Sequence, residues 1–190
     1  MGKHNSKEAQ PKVLQSLRSD TEFTGDEIME IFNEFQKDCP SGRLSLEDFK
    51  KLHGAHFSEG EAAKYAEHVF RSFDANGDQT VDFREFLCAM SVMTRGTLEA
   101  KLRLMFTIYN LDGNEYISRD EMLEIVQTIF KMIDKESEEV TTPEEYTDNV
   151  FNNMDKNADN KISLEEFIEG AKSDPSLIKL MAIPEALKET

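Results

Sequence analysis

DANGDQTVDFRE, the stretch Asp74 to Glu85, decides the fold. Oxygen-bearing side chains stand at loop positions 1, 3, 5 and 9 (Asp74, Asn76, Asp78, Asp82), Val81 is at position 8 and Glu85 at position 12. A hard divalent cation asks for this spacing: a tight turn delivers single oxygens around it, and a final Glu gives both of its own. The plan recurs in NLDGNEYISRDE (Asn110 to Glu121) and in DKNADNKISLEE (Asp155 to Glu166). Helical periodicity flanks each copy, so a repeated helix–loop–helix unit sets the architecture.

These are EF-hand loops, and their spacing exposes a fourth. The closing glutamates Glu85, Glu121 and Glu166 are 36 and 45 residues apart, and 37 residues before Glu85 stands Asp48. The segment Lys37 to Asp48 keeps an aliphatic residue, Leu44, at position 8, and Phe49 follows it as Phe86 follows Glu85. Its chemistry is lost. Lys37 at position 1 is a cation, the Cys39 thiol at position 3 suits a hard ion poorly, and Pro40 at position 4 fixes φ and lacks a donor. No ion is expected there, and Cys39 is expected to be exposed beside the dead loop.

EF-hands pair through short strands around position 8, so Leu44 should face Val81 and Ile117 should face Ile162. The expected fold is all-α: four EF-hands in two paired lobes with short antiparallel loop strands. The divisions are an arm at 1–23, an N-lobe at 24–93 holding the degenerate first hand and the second, a hinge at 94–98, a C-lobe at 99–173 and a C-terminal helix and tail at 174–190. Gly96 is read as supplying φ freedom to the hinge. Capping boxes are expected at Thr24 with Glu27 and at Ser58 with Glu61, and Thr142–Pro143–Glu145 marks another helix start. The last helix should begin near Pro175 and carry Leu177, Ile178, Leu180 and Met181. Asp134 to Val140 reads as an acidic connector.

Bulk properties agree. With 38 acids against 22 bases the net charge is −16, which repels nucleic acid and attracts cations. Two cysteines, Cys39 and Cys88, make no disulfide framework and fit a reducing compartment. The longest apolar run, Phe86 to Met93, is far too short to span a bilayer. No nucleophile–base set, phosphate loop or zinc pattern is present, so the chain reads as a non-enzyme.

Ligand chemistry ranks the loops. The second offers four carboxylates (Asp74, Asp78, Asp82, Glu85), the amide of Asn76 and the carbonyl of Thr80. The fourth offers Asp155, Asp159 and Glu166 with Asn157, Ser163 and the Lys161 carbonyl. The third has only Asp112 and Glu121 as acids, beside Asn110, Asn114, Ser118 and the Tyr116 carbonyl. Affinity follows carboxylate count, so the order expected is second, fourth, third, for Ca²⁺ with Mg²⁺ as an alternative occupant of the same loops. One feature weakens all three. Position 6 needs φ > 0 and normally carries Gly, whereas here it is Gln79, Glu115 and Asn160. The strain is roughly 1 kcal/mol per site, about fivefold in affinity if only the bound state feels it. The third loop, with Asn at position 1 as well, can be read as filled or empty.

The chain resembles the neuronal calcium sensor family, the group of recoverin, hippocalcin, frequenin and the guanylyl cyclase-activating proteins. MGKHNS at the N-terminus, KDCPSGRLSLEDF (Lys37 to Phe49), FDANGDQTVDFREF (Phe73 to Phe86) and MDKNADNKISLEEF (Met154 to Phe167) carry the resemblance over nearly the whole length. The Cys-Pro in the first loop is specific to that family. The resemblance implies a cytoplasmic, peripheral-membrane calcium sensor. Its apolar groove would open on calcium binding and dock a helix of a kinase, cyclase or channel. The groove would be Ile28, Ile31, Phe32, Phe35, Phe49, Leu52, Phe70, Phe73, Phe86 and Met90. Ile31 and Leu104 stand where the family often has Trp, which bears on groove shape and target choice. The stretch Glu144 to Phe151 is more similar to the cyclase activators and the second loop to recoverin, so no single target is assigned.

The N-terminus also fits the myristoylation pattern, with Gly2 exposed once Met1 is removed and Ser6 in place. One such chain binds membranes only marginally, with K about 10⁴ M⁻¹, and Lys3, Lys7 and Lys12 could add attraction to anionic lipid. The partners expected are a target helix and a membrane through the myristoyl group, with a homodimer as an open option and no nucleic acid. Two functions compete with the sensor: a calcium buffer, and a calcium-independent scaffold with weakened loops.

Overall fold

A helical segment at residues 15–20 leads into α1 (Gly25–Asp38), β1 (Arg43–Leu44) and α2 (Leu46–Leu52). The second hand is α3 (Glu61–Phe73), β2 (Val81–Asp82) and α4 (Phe83–Arg95). The third is α5 (Leu98–Tyr109), β3 (Tyr116–Ser118) and α6 (Arg119–Met132), and the fourth α7 (Pro143–Met154), β4 (Lys161–Ser163) and α8 (Leu164–Ser173). The structure is a computed structural model and describes residues 15–52, 61–132 and 141–175. Gly2 and the lysines around it, the Ser58 cap, the connector 134–140 and the last apolar segment lie outside the described residues, as does the side chain of Leu52.

The hands pair as their position-8 residues require. Strands β1 and β2 run antiparallel with Leu44 opposite Val81, and β3 and β4 with Ile117 opposite Ile162. All four of these side chains are buried. The pairs therefore close each loop on its core side and turn the oxygen-bearing positions outward.

Helix starts follow the capping chemistry. Thr24 and Glu27 form a capping box at α1, and Thr142 and Glu145 form another at α7, with Pro at the first turn. Each box satisfies two N–H groups that a helix start leaves without intrahelical partners. On α1, Ile28 and Phe35 are buried while Ile31 and Phe32 are half-buried. Spaced seven residues apart, Ile28 and Phe35 lie two turns apart on one face.

One apolar core runs from Phe35, Phe49, Phe70 and Phe73 through Leu102, Phe106 and Ile125 to Phe151 and Phe167. Helix α3 joins the halves, packing on both α5 and α6. A second cluster, Leu17 with Ile28 and Leu87, ties the segment 15–20 to α1 and α4. Arg95 straps the same region. It pairs with Glu27, donates to the Glu22 carbonyl at 3.0 Å and lies 4.5 Å from the centre of the Phe23 ring. Its guanidinium holds the Glu27 carboxyl down at about 2.

Two expectations are corrected. Cys39 is not exposed: it is 3% accessible, packed in the core at the end of α1, where its N–H donates to the Phe35 carbonyl at 2.7 Å. Burial pushes its thiol pKa up, which makes it less reactive. Gly96 does not supply unusual φ, since its φ is −61°. Space requires the glycine: a Cβ there would lie 2.4 Å from the Val92 carbonyl oxygen.

Candidate metal centre

Each loop is wound by its own side chains. In the second, Asp74 accepts from the N–H groups of Asp78 at 3.1 Å and Gln79 at 2.8 Å, one on each carboxylate oxygen. Asn76 Oδ1 accepts from the same Asp78 N–H at 2.8 Å, and Asp78 Oδ1 from the Thr80 N–H at 3.0 Å. The fourth loop repeats the pattern. Asp155 accepts from Asp159 at 3.2 Å and Asn160 at 2.9 Å, Asn157 from Asp159 at 2.9 Å, and Asp159 from Lys161 at 2.9 Å.

The closing glutamate works at both ends of its loop. Glu85 accepts from the Asn76 N–H at 3.2 Å on one oxygen and from the Asp82 N–H at 3.0 Å on the other. Glu121 takes Leu111 at 2.8 Å and Asp112 at 3.1 Å on Oε1, and the Ser118 N–H at 2.8 Å on Oε2. Glu166 takes Lys156 at 3.2 Å and Asn157 at 3.4 Å, and Ser163 at 3.0 Å. Burial would raise the Glu166 pKa, but the bonds from Ser163, Lys156 and Asn157 outweigh it and lower the pKa.

Positions 9 and 12 have a second role. Asp82 with Glu85, and Ser163 with Glu166, are the capping boxes of α4 and α8. Ser118 and Glu121 make the same exchange at the start of α6. Even the dead loop keeps the position-9 cap, with Ser45 Oγ accepting from the Asp48 N–H at 3.2 Å. The glutamate that would close on an ion therefore also starts the helix that leaves the loop.

The turn backbone separates the third loop from the other two. Left-handed φ occurs at Gly77 (71°) and Gln79 (66°) in the second loop and at Ala158 (58°) and Asn160 (61°) in the fourth. In the third, Gly113 (72°) is left-handed but Glu115 is not among the positive-φ residues. The strain foreseen at position 6 is thus taken up by Gln79 and Asn160 and avoided at Glu115. The cause lies at position 1. Asp74 and Asp155 can only accept, and they pull in the N–H of position 6, whereas the Asn110 amide donates through Nδ2 to the Asn114 carbonyl. Gly42 of the dead loop keeps φ at 75°, because its N–H must still turn back to the Cys39 carbonyl at 2.9 Å to feed β1.

Among the described residues, no three acidic, His or Cys side chains are gathered at metal-holding distance. The carboxylates instead hold the N–H groups that wind the turns. The donor set nonetheless suits a hard cation, being carboxylate, amide, hydroxyl and carbonyl oxygen throughout. Asn110 adds a direct sign: its Oδ1 is buried and has no hydrogen-bond partner. A buried acceptor without a donor is costly, and a cation in the loop would satisfy it.

Two cationic neighbours escaped the sequence reading. Arg43, from the dead loop, donates to Asp78 Oδ2 and Thr80 Oγ1, each at 2.6 Å. The Thr80 hydroxyl and Arg43 together hold the Asp78 carboxyl down at about 2. Arg71, on α3, donates to the carbonyls of Leu111 and of Asn110 at the start of the third loop. A basic residue at a loop edge carries no sequence signal of which acid it meets.

The expected groove residues fall into two sets. Ile28, Phe35, Phe49, Phe70 and Phe73 are buried, while Ile31, Phe32, Phe86 and Met90 are half-buried. Phe83, which the sequence reading passed over, sits between the sets. Its ring is 4.9 Å from Phe32 and 5.5 Å from Phe35, and it packs against both core clusters.

Paired helix–loop–helix units with oxygen-lined loops define an EF-hand protein, and the EF-hand domain pair family matches residues 99–172. The chain is 36% identical to human recoverin over 195 residues, covering 100% of this chain and 98% of that one. It is 43% identical to neuronal calcium sensor 1 of Lymnaea stagnalis over 186 residues, covering 96% and 97% of the two. It is also 43% identical to guanylyl cyclase-activating protein 2 of Gallus gallus over 167 residues, covering 85% and 84%. The chain belongs to the neuronal calcium sensor family.

Proposed function

We propose that this protein is a calcium-triggered regulator of a membrane-associated target. Its ligands would be Asp74, Asn76, Asp78, Thr80, Asp82 and Glu85 in the second loop. Those of the third would be Asn110, Asp112, Asn114, Tyr116, Ser118 and Glu121. Those of the fourth would be Asp155, Asn157, Asp159, Lys161, Ser163 and Glu166. When bound, Ca²⁺ supplies a hard double charge that takes six to eight oxygens, and Mg²⁺ at the same loops takes fewer from the protein.

The observation that carries the proposal is the double use of the closing glutamate. Glu85 holds the N–H of Asn76 at the start of the loop and the N–H of Asp82 at the N-cap of α4. If its oxygens turn to an ion, the cap of α4 moves with them. Helix α4 carries Phe83 and Phe86 against Phe32 and Phe35 of α1, so a shift of α4 separates those faces. Side chains that are core in one state become docking surface in the other. The occupant would be an apolar face of a target helix, with the two lobes moving about 94–98.

The relatives support a regulator over an enzyme: two of the three names state a calcium sensor and an activator of guanylyl cyclase. Attachment to membrane would come through a myristoyl group on Gly2. No helix among the described residues is long and apolar enough to cross a bilayer.

The test is calcium titration by calorimetry together with an apolar-surface dye, on the wild type and on Glu85→Gln, Glu121→Gln and Glu166→Gln. The sensor reading expects each substitution at a binding loop to remove one site, and Glu85→Gln to abolish dye binding. Calcium uptake with no dye response means a buffer. No uptake at millimolar calcium leaves a scaffold.

A further inference from the structure

We propose that Arg43, in the loop that cannot hold an ion, sets the cation affinity of the second loop from across the β1–β2 ladder. The proposal rests on the reading of Asp74 to Glu85 as a calcium site. Arg43 stands at position 7 of the dead loop, where a working loop uses only the carbonyl. The strand pairing sets Arg43 opposite Asp82, which brings its side chain to the rim of the neighbouring loop. There Nη1 meets Asp78 Oδ2 and Thr80 Oγ1, each at 2.6 Å. The Thr80 hydroxyl in turn donates to Asp78 Oδ1 at 2.6 Å, so both oxygens of the position-5 carboxylate are engaged. In the third loop the same position is Tyr116, whose carbonyl is the expected ligand and whose ring lies 5.3 Å from Lys161 Nζ.

The consequence is electrostatic. The second loop holds four carboxylates, and Arg43 cancels one of those charges on the oxygen nearest to it. A dication entering the loop finds both Asp78 oxygens engaged, Oδ2 by the guanidinium and Oδ1 by Thr80, and it meets the positive charge of Arg43 across one carboxylate. The pair is half-exposed, so it adds little to folding. The repulsion of a divalent ion is twice that of a monovalent one at the same distance. A decayed hand therefore keeps a use, lowering the affinity of its partner. The loop richest in carboxylates is the one so restrained.

The test is calorimetric titration of calcium in a Glu121→Gln/Glu166→Gln background, where only the second loop remains competent. Arg43→Gln is expected to tighten binding about three- to tenfold at low salt, with the gain shrinking as salt screens the charge. Arg43→Lys keeps the charge on a more strongly hydrated, flexible ammonium and should fall between Arg43→Gln and wild type. Melting curves without calcium verify that the variants fold. Affinity in Arg43→Gln unchanged within twofold, or weaker, overturns the proposal. If the background shows no site, or adding Glu85→Gln removes none, the calcium reading of the loop has failed instead.

Discussion

Gly170 of α8 lies so close to Met154 of α7 that a Cβ on the glycine would stand 2.5 Å from Met154 Cγ. Both residues are buried, and Met154 ends the helix that delivers Asp155, the first residue of the fourth loop. The contact fixes the distance between the two helices of the fourth hand. Gly170→Ala should therefore destabilise the protein by about 1–3 kcal/mol from overpacking, less up to about 1 kcal/mol gained in helix propensity. Urea unfolding measures it. A variant more stable than wild type would show that Met154 moves aside freely.

His68 gives the junction of the halves a pH dependence. It is half-buried on α3, with Nε2 buried, free of hydrogen bonds and 4.0 Å from Glu124 of α6. Burial, then Arg71, pushes its pKa below the usual value, while Glu124 and Glu67 pull it up and Lys64 pushes it down. The folded state thus prefers neutral His68. Its contribution to stability is present above the unfolded pKa of about 6.5 and is lost as pH falls below it. Melting temperature should fall more between pH 7.5 and 5.5 for wild type than for His68→Gln; equal falls would assign the acid sensitivity elsewhere.

Asn110→Asp should convert the third loop to the pattern of the other two. An aspartate cannot donate to the Asn114 carbonyl, and it can accept from the N–H of Glu115 as Asp74 does from Gln79. Position 6 must then turn left-handed, at a cost of roughly 1 kcal/mol, against an added ligand charge. The net expectation is tighter calcium binding at that loop, by about tenfold. Calorimetry in a Glu85→Gln/Glu166→Gln background reads it. Weaker binding would mean that the left-handed Glu115 costs more than the charge returns.

Sequence and structure agree where chemistry is local. The registers Leu44–Val81 and Ile117–Ile162 follow from the aliphatic residue that every loop carries at position 8. The boxes at Thr24 and Thr142 follow from a four-residue pattern. What depended on distant neighbours was not legible. Cys39 sits in a polar string yet is buried by residues from other elements. Gly96 looked like a flexible joint and is a steric necessity against Val92. Glu115 escaped the strain of its position because Asn110 donates where an aspartate would accept. Arg43 and Arg71 found acceptors 35 to 40 residues away, which no local pattern encodes.

Arg71 offers a route between the second and third loops. It stands on α3, three residues before Asp74, and its guanidinium holds the carbonyls of Asn110 and Leu111. A change in the second loop that moves the end of α3 would act on the third through these bonds. Coupling must be reciprocal if it is real, so each loop should alter the other's affinity by the same factor. In Arg71→Gln that factor should fall towards one, while each loop's own affinity changes little, because the side chain is exposed and holds carbonyls rather than ligand carboxylates. Calorimetry on Glu166→Gln and Glu166→Gln/Arg71→Gln, each with and without Glu85→Gln, gives the comparison. If the third loop responds to Glu85→Gln equally in both backgrounds, the coupling runs through the packing of α3 on α5 and α6, and Arg71 only decorates the junction.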